Sequence, residues 1–146
     1  MPISVLIVDD HEVMRDTIRR MLAGHPDFCV VAEASDGAAA VRLAERHRPQ
    51  VALIDIGMKR MNGLEATTHI ARRSPETAVL ILTVYKLEQY VVRAVGAGAR
   101  GYLLKESLDE EELARAIHAV RDGGHYFSEA IAAAVPAALR SAGDAI

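Results

Sequence analysis

Five short apolar runs, rich in β-branched residues, recur along the chain at a nearly constant interval. Their first residues lie 25, 23, 27 and 23 positions apart, and the runs are Ile3–Val8, Phe28–Glu33, Val51–Ile54, Ala78–Leu82 and Gly101–Leu104. Runs without polar alternation, such as residues 79–82, are typical of strands in a parallel sheet that is covered on both faces. The pattern therefore predicts five strands of such a sheet.

The segments between the runs carry apolar residues at helical spacing. They predict five helices, at about 12–23, 37–46, 63–73, 87–95 and 108–120. Asn62 and Ser107 each stand three residues before a glutamate, which is the capping-box spacing of a helix N-terminus. Strands and helices that alternate five times predict a doubly wound α/β fold with right-handed crossovers.

The composition is that of a globular domain, with 51% apolar and 25% charged residues in a chain of 146. The net charge of −3 and the lack of a basic stripe argue against direct binding of nucleic acid. Without a leader-like N-terminus or an apolar stretch of about 18 residues, we expect a soluble cytoplasmic chain with no membrane contact. The single Cys29 excludes an internal disulfide, and its place in a predicted strand indicates a small buried residue.

Four of the predicted strands end in polar or charged residues. Asp9 and Asp10 follow the first strand, Asp55 the third, Thr83 the fourth and Lys105 the fifth. The carboxyl ends of parallel strands share one edge of the sheet, and ligands bind beyond that edge. We therefore expect these five side chains to converge.

Convergence of three carboxylates has a chemical consequence. Two carboxylates about 4 Å apart repel by about 4 kcal/mol at an effective dielectric constant of about 20, so such a group raises its pKa values or holds a cation. Oxygen ligands suit Mg²⁺, and a carboxylate beside Mg²⁺ and an ammonium is suited to accept a phosphoryl group. Each of the five strand-end residues alone would more often be a helix cap, a surface charge or a strand former. Together they favour a site for a metal ion and a phosphoryl group.

Four segments resemble the receiver domain of bacterial two-component response regulators, and the match runs from about Ile3 to Gly124. The segments are Val8–His11 with Arg15, Leu53–Met58 continued by Met61–Glu65, Leu82–Thr83 and Gly96–Lys105. The opening segment is similar to the LuxR/NarL-type branch, whose members usually carry a helix-turn-helix output domain. The resemblance implies a flavodoxin-like (βα)5 fold with a five-stranded parallel sheet in the order 2-1-3-4-5.

The resemblance also implies the phosphoryl acceptor and the metal ligands. Asp55 would accept the phosphoryl group from the phosphohistidine of a sensor histidine kinase. Asp10 and Asp55 would ligate Mg²⁺ directly, Asp9 would act largely through water, and the carbonyl of Gly57 would be a backbone ligand.

The remaining matched positions would form the switch. Thr83 and Lys105 would bind the phosphoryl oxygens, and the rotamer of Tyr102 would follow Thr83. The expected result is a population shift that controls homodimerisation and a DNA-binding output, without turnover of an external substrate.

One position departs from the family pattern. Lys59 stands where the family usually has proline, four residues after Asp55, and Arg60 follows it. Because proline fixes φ and removes a donor, we expect a more mobile or differently shaped loop here. We interpret the two cations as solvated loop charges in preference to contacts for an acidic partner.

The end of the chain differs from the rest. We assign the receiver domain to residues 1–124 and a linker or interface helix to the Ala-rich residues 125–146. These 22 residues are too few for a helix-turn-helix domain. The chain would then be either the receiver part of a longer regulator or a stand-alone receiver. We favour the first, in which DNA binding depends on an output domain absent from this chain.

Other functions stay open at this stage. A phosphorylation-independent interaction module with the same fold is compatible with Lys59. A Mg²⁺-dependent phosphatase with an aspartyl nucleophile usually has a second acid where Gly57 stands. A flavin-binding domain would need a phosphate-binding loop after the first strand, where Asp9 and Asp10 would repel a phosphate.

Overall fold

The computed structural model describes residues 2–133 and residue 135. Six strands form one sheet: β1 (Ile3–Val8), β2 (Phe28–Ala34), β3 (Val51–Ile54), β4 (Ala78–Thr83), β5 (Gly101–Leu104) and β6 (Tyr126–Phe127). The helices are α1 (Glu12–Ala23), α2 (Gly37–His47), α3 (Gly63–Arg73), α4 (Glu88–Ala97), α5 (Glu110–Arg121) and α6 (Glu129–Ala132), with a 3-10 turn at Lys105–Ser107. No described helix has the length and apolar character needed to cross a bilayer.

All neighbouring strands pair in parallel, in the order β2-β1-β3-β4-β5-β6. The alternating α/β fold and the order of the first five strands are thus confirmed, whereas the prediction of a five-stranded sheet is wrong. The sixth strand has two residues, too few to give an apolar run. A turn at Gly123, with φ of 92°, precedes its return beside β5.

The sheet separates two cores because successive strand residues point to opposite faces. In β1, Val5 and Ile7 pack on the side of α1 and α5, whereas Leu6 and Val8 pack on the side of α2, α3 and α4. Both sets are buried, which explains the absence of polar alternation in this strand.

Local capping agrees with the sequence at one helix and departs from it at another. The side chain of Asn62 accepts a 2.9 Å hydrogen bond from the Glu65 N–H and caps α3. For α5 the cap is Asp109, which accepts from the Glu112 N–H at 2.7 Å. The prediction of Ser107 is wrong because Ser107 belongs to the 3-10 turn that delays the start of α5.

Cys29 is also a correction. It is exposed because β2 is an edge strand of the sheet and turns that side chain to solvent. The predicted linker or interface helix at 125–146 is described only for its first nine residues and residue 135; the rest of it lies outside the described residues.

Candidate functional site: an acidic pocket at the strand ends

The structure brings the five predicted side chains to the carboxyl edge of the sheet. Asp9 and Asp10 follow β1, Asp55 follows β3, Thr83 is the last residue of β4 and Lys105 follows β5. Carboxylate oxygens of the three aspartates lie within 4.8 Å of one another. The parallel register of β1 with β3, which pairs Val8 with Ile54, brings these acids together.

Lys105 is the central cation of the pocket. Its ammonium lies 2.7 Å from Asp9 Oδ2 and 3.4 Å from Asp55 Oδ2. Burial disfavours the charged form, but the hydrogen bond to Asp9 and the charge of Asp55 outweigh it and raise the pKa of Lys105. Lys105 therefore holds two carboxylates together as a permanent positive charge at neutral pH.

Asp55 is buried at the bottom of the pocket. Burial, together with the negative charge of Asp9, raises the pKa of the Asp55 carboxyl, and Lys105 offsets only part of this effect. One ammonium therefore leaves negative charge uncompensated among the three acids, and a further cation would stabilise them.

Asp10 supplies a second indication of a cation. Its Oδ1 atom is buried and has no hydrogen-bond partner in the described part of the chain; His11 Nδ1 lies 3.0 Å away without hydrogen-bond geometry. The N–H of His11 instead donates to Asp9 Oδ1 at 2.9 Å. An orphaned carboxylate oxygen in an oxygen-rich, negatively charged pocket fits Mg²⁺.

Thr83 and Tyr102 are both fully buried, and the backbone of Tyr85 connects them. The Tyr85 N–H donates to Thr83 Oγ1 at 3.3 Å, and the Tyr102 hydroxyl donates to the Tyr85 carbonyl at 2.7 Å. The Tyr85 ring stacks on Tyr90 with centroids 4.8 Å apart. A Cβ on Gly57 would lie 3.0 Å from the Tyr85 hydroxyl, so the missing side chain leaves room for this ring over the pocket loop.

Sequence reasoning missed the role of Tyr85, since its backbone makes both contacts and backbone groups are the same in every residue. It also missed the side chain of Arg15, which donates to the carbonyl of Asp9 at 2.6 Å. The place of Arg15 in the opening motif could have indicated such a contact.

The loop after Asp55 is fastened at its far end. The Gly63 N–H donates to the Ile56 carbonyl at 2.9 Å, and the Gly37 N–H to the Met61 carbonyl at 3.0 Å. A Cβ on Gly63 would collide with the Asp55 carbonyl, so only glycine allows this approach.

Lys59 and Arg60 are exposed within this loop. Among the described residues Lys59 has no ion pair, and Arg60 reaches Asp36 Oδ2 only at 3.6 Å. Arg60 has a φ of 68°, a backbone conformation that costs energy for a residue other than glycine. Exposure is compatible both with solvated loop charges and with contacts for an acidic partner, so the interpretation stays a prediction.

Solved structures and curated proteins share this fold and sequence. A LuxR-family two-component response regulator from an Aurantimonas species superimposes with a TM-score of 0.86 and 34% identity, over 92% of this chain and 96% of that chain. DegU of Brevibacillus brevis, a transcriptional regulatory protein, is 44% identical over 124 residues, which are 85% of this chain and 52% of DegU. The nitrate/nitrite response regulator NarL of Escherichia coli is 36% identical over 140 residues, covering 96% of this chain and 64% of NarL.

The chain thus spans between half and two thirds of the length of these two curated relatives. Residues 5–118 match the profile of the response regulator receiver domain. The resemblance seen in the four motifs is confirmed, and so is the similarity to the LuxR/NarL branch. This chain belongs to the family of response regulator receiver domains.

Proposed function

We propose that the chain is a phosphoryl-accepting signalling switch, in which Asp55 receives the phosphoryl group from a phosphohistidine of a sensor histidine kinase. The observation that carries this proposal is the shared contact of Lys105 with Asp9 and Asp55, at 2.7 and 3.4 Å. It puts a buried carboxylate next to a fixed cation, which is the arrangement needed where a phosphoryl group arrives.

In the proposed reaction a carboxylate oxygen of Asp55 forms a bond to phosphorus. The bond from phosphorus to the donor imidazole nitrogen breaks, and its electron pair stays on that nitrogen, which takes up a proton. Lys105 and Thr83 then bind the phosphoryl oxygens, since both border Asp55 at the sheet edge. The raised pKa of Asp55 reflects a carboxylate that gains from additional positive charge.

Asp10, Asp55 and the Gly57 carbonyl would hold Mg²⁺ directly, and Asp9 largely through water. When bound, Mg²⁺ would supply positive charge to the oxygens of the transferring group. The buried Oδ1 of Asp10, which has no hydrogen-bond partner among the described residues, supports this assignment.

The switch that follows would use the Thr83, Tyr85 and Tyr102 linkage. A phosphoryl group that recruits the Thr83 hydroxyl would act on the Tyr85 N–H and, through the same residue, on Tyr102. Phosphorylation would then favour one of two arrangements of the loop after β4.

We further propose that this change controls homodimerisation and a DNA-binding output domain outside this chain, in the cytoplasm. The receiver domain would cover residues 1–124, and the Ala-rich 125–146 would be the connection, which begins with β6 and α6 packed against that domain. Support comes from DegU and LiaR, relatives named transcriptional regulatory proteins. One structure of two RcsB dimers bound to two parallel DNAs, at 22% identity, shares the fold.

The decisive experiment is intact-protein mass after incubation with Mg²⁺ and a small phosphoryl donor such as phosphoramidate. Wild type should gain one phosphoryl adduct, and Asp55→Asn should gain none. Asp16→Asn, a partly exposed carboxylate of α1 that pairs with Arg19 and Arg20, is the matched control and should react like wild type. An adduct of equal yield on Asp55→Asn would contradict the assignment.

Two rival functions make different predictions in the same assay. A phosphorylation-independent module would show no adduct with either a small donor or a phosphorylated kinase. A phosphatase would release phosphate from an added phosphomonoester over many turnovers, whereas the proposed switch gives at most one equivalent per chain.

A further inference from the structure

The outer edge of β5 is covered by residues 126–132, which we call the C-terminal strap. The Tyr126 N–H donates to the Arg100 carbonyl at 3.1 Å and begins the parallel pairing with β5. Ile131 is 1% exposed and packs in the same core as Tyr102 and Leu104. The strap is therefore part of the fold on the side of the sheet that holds Tyr102.

Ser128 makes two hydrogen bonds to β5 within this strap. Its N–H donates to the Tyr102 carbonyl at 3.1 Å, and its Oγ accepts from the Leu104 N–H at 3.2 Å. Ser128 is 1% exposed, so water does not compete for either bond. These two bonds hold Tyr102 and Leu104 in place, and Leu104 immediately precedes Lys105.

The carbonyl of Ser128 continues the connection to α6. It accepts from the N–H groups of Ile131 and Ala132, both at 2.9 Å. One buried residue therefore bonds the end of β5 with its N–H and hydroxyl, and the first turn of α6 with its carbonyl. Ser128 thus links the end of β5 to α6 through hydrogen bonds alone.

We propose that Ser128 is a positioning residue of the phosphoryl-accepting site. It holds the end of β5, and with it Lys105, and so couples occupancy of the pocket to docking of α6. This inference rests on the proposed function. Because coupling is reciprocal, a docked strap favours the phosphoryl-bound state, and a bound phosphoryl group tightens the strap.

The test measures beryllofluoride, a phosphoryl mimic, binding to the full chain with Mg²⁺ by calorimetry. Ser128→Ala should bind roughly five- to tenfold more weakly than wild type, the scale of one buried hydrogen bond. Ser128→Thr keeps the hydroxyl and should recover most of the affinity. Ser74→Ala is the control, since Ser74 is buried and bonds Thr77 Oγ1 at 2.7 Å after α3, at the amino edge of the sheet.

A purely structural role would lower the stability of Ser128→Ala and Ser74→Ala without a specific loss of affinity in the first. Equal affinity of wild type and Ser128→Ala, or an equal loss in Ser74→Ala, overturns the inference and leaves the proposed function intact. Failure of wild type both to bind beryllofluoride and to form the adduct overturns the two together.

A second measurement needs no variant. Amide hydrogen exchange of Leu104, Ile131 and Ala132 in wild type should slow on addition of beryllofluoride and Mg²⁺. Unchanged exchange at these amides, with the mimic bound, overturns the coupling even if Ser128→Ala does not fold.

Discussion

The hydroxyl of Tyr102 donates a 2.7 Å hydrogen bond to the backbone carbonyl of Tyr85. Because Tyr102 is fully buried, its ring lies beneath the loop between β4 and α4 and fastens that loop from inside. An outward rotation of the ring would break this bond. This hydrogen bond, which we call the Tyr102 tether, can therefore form only when the Tyr102 ring points inward.

Replacement of Tyr102 by phenylalanine keeps the ring and removes the tether. We expect the free energy of unfolding to fall by about 1 kcal/mol, the usual contribution of one hydrogen bond, as measured by urea denaturation. Tyr90→Phe is the control, since the Tyr90 hydroxyl has no hydrogen bond among the described residues. Equal losses in the two variants would mean that the tether contributes nothing.

Burial also raises the pKa of Tyr102, which predicts a pH effect at the alkaline end. In the unfolded chain the Tyr102 hydroxyl loses its proton near the ordinary tyrosine pKa of 10.0. In the folded chain the hydroxyl retains that proton. Since the folded state then binds more protons, stability falls as the pH rises above that value. Tyr102→Phe should lessen this fall, measured by thermal unfolding between about pH 9 and 11.

Asp55→Asn should raise the melting temperature in Mg²⁺-free buffer at pH 7. Burial and the charge of Asp9 raise the pKa of Asp55, so the ionised carboxylate destabilises the fold above its folded pKa. At a pH below the ordinary aspartate pKa of 3.8, Asp55 is protonated in both the folded and the unfolded chain. The destabilisation by the ionised carboxylate is then absent. The gain should therefore shrink as the pH falls towards 4, and a gain independent of pH would exclude this cause.

Mg²⁺ should stabilise wild type by binding the folded state. At a concentration about 100 times Kd the expected gain is about 2.7 kcal/mol, measured by urea denaturation with and without the ion. Asp10→Asn should lose most of the gain, whereas Asp122→Asn, an exposed residue beyond α5, should keep it. Retention of the full gain in Asp10→Asn would contradict the assigned ligand.

Alanine substitution should have opposite effects on stability at two of the glycines. A Cβ on Gly101 would lie 2.5 Å from Leu80 Cδ1 and 2.7 Å from the Tyr126 carbonyl, so Gly101→Ala should destabilise by about 1–3 kcal/mol. A Cβ on Gly96 would meet nothing within 4 Å, and alanine favours a helix, so Gly96→Ala should stabilise by about 0.5–1 kcal/mol. Denaturant unfolding of both variants checks the signs.

Hydrophobic spacing predicted the elements that are long enough to carry a period. The predicted bounds of α1 and α3 agree with the structure, and the strand ends that carry Asp9, Asp55 and Lys105 do meet at one edge. The two residues of β6 gave no pattern, since a strand of two residues is too short to show an apolar run or an alternation. The linkage of Thr83 and Tyr102 through Tyr85 could not be predicted from the sequence either. It uses the backbone groups of Tyr85, and their partners depend on the tertiary fold.

The short strand β6 has one more consequence, for association between chains. The N–H of its Tyr126 donates to the Arg100 carbonyl. Ser128, which follows the strand, donates its N–H to the Tyr102 carbonyl and accepts from the Leu104 N–H with its hydroxyl oxygen. Unpaired edge groups beside an apolar strand are a template for intermolecular strand addition. A chain cut after Gly124 would expose that template, so we expect it to aggregate more readily than a chain that keeps these residues.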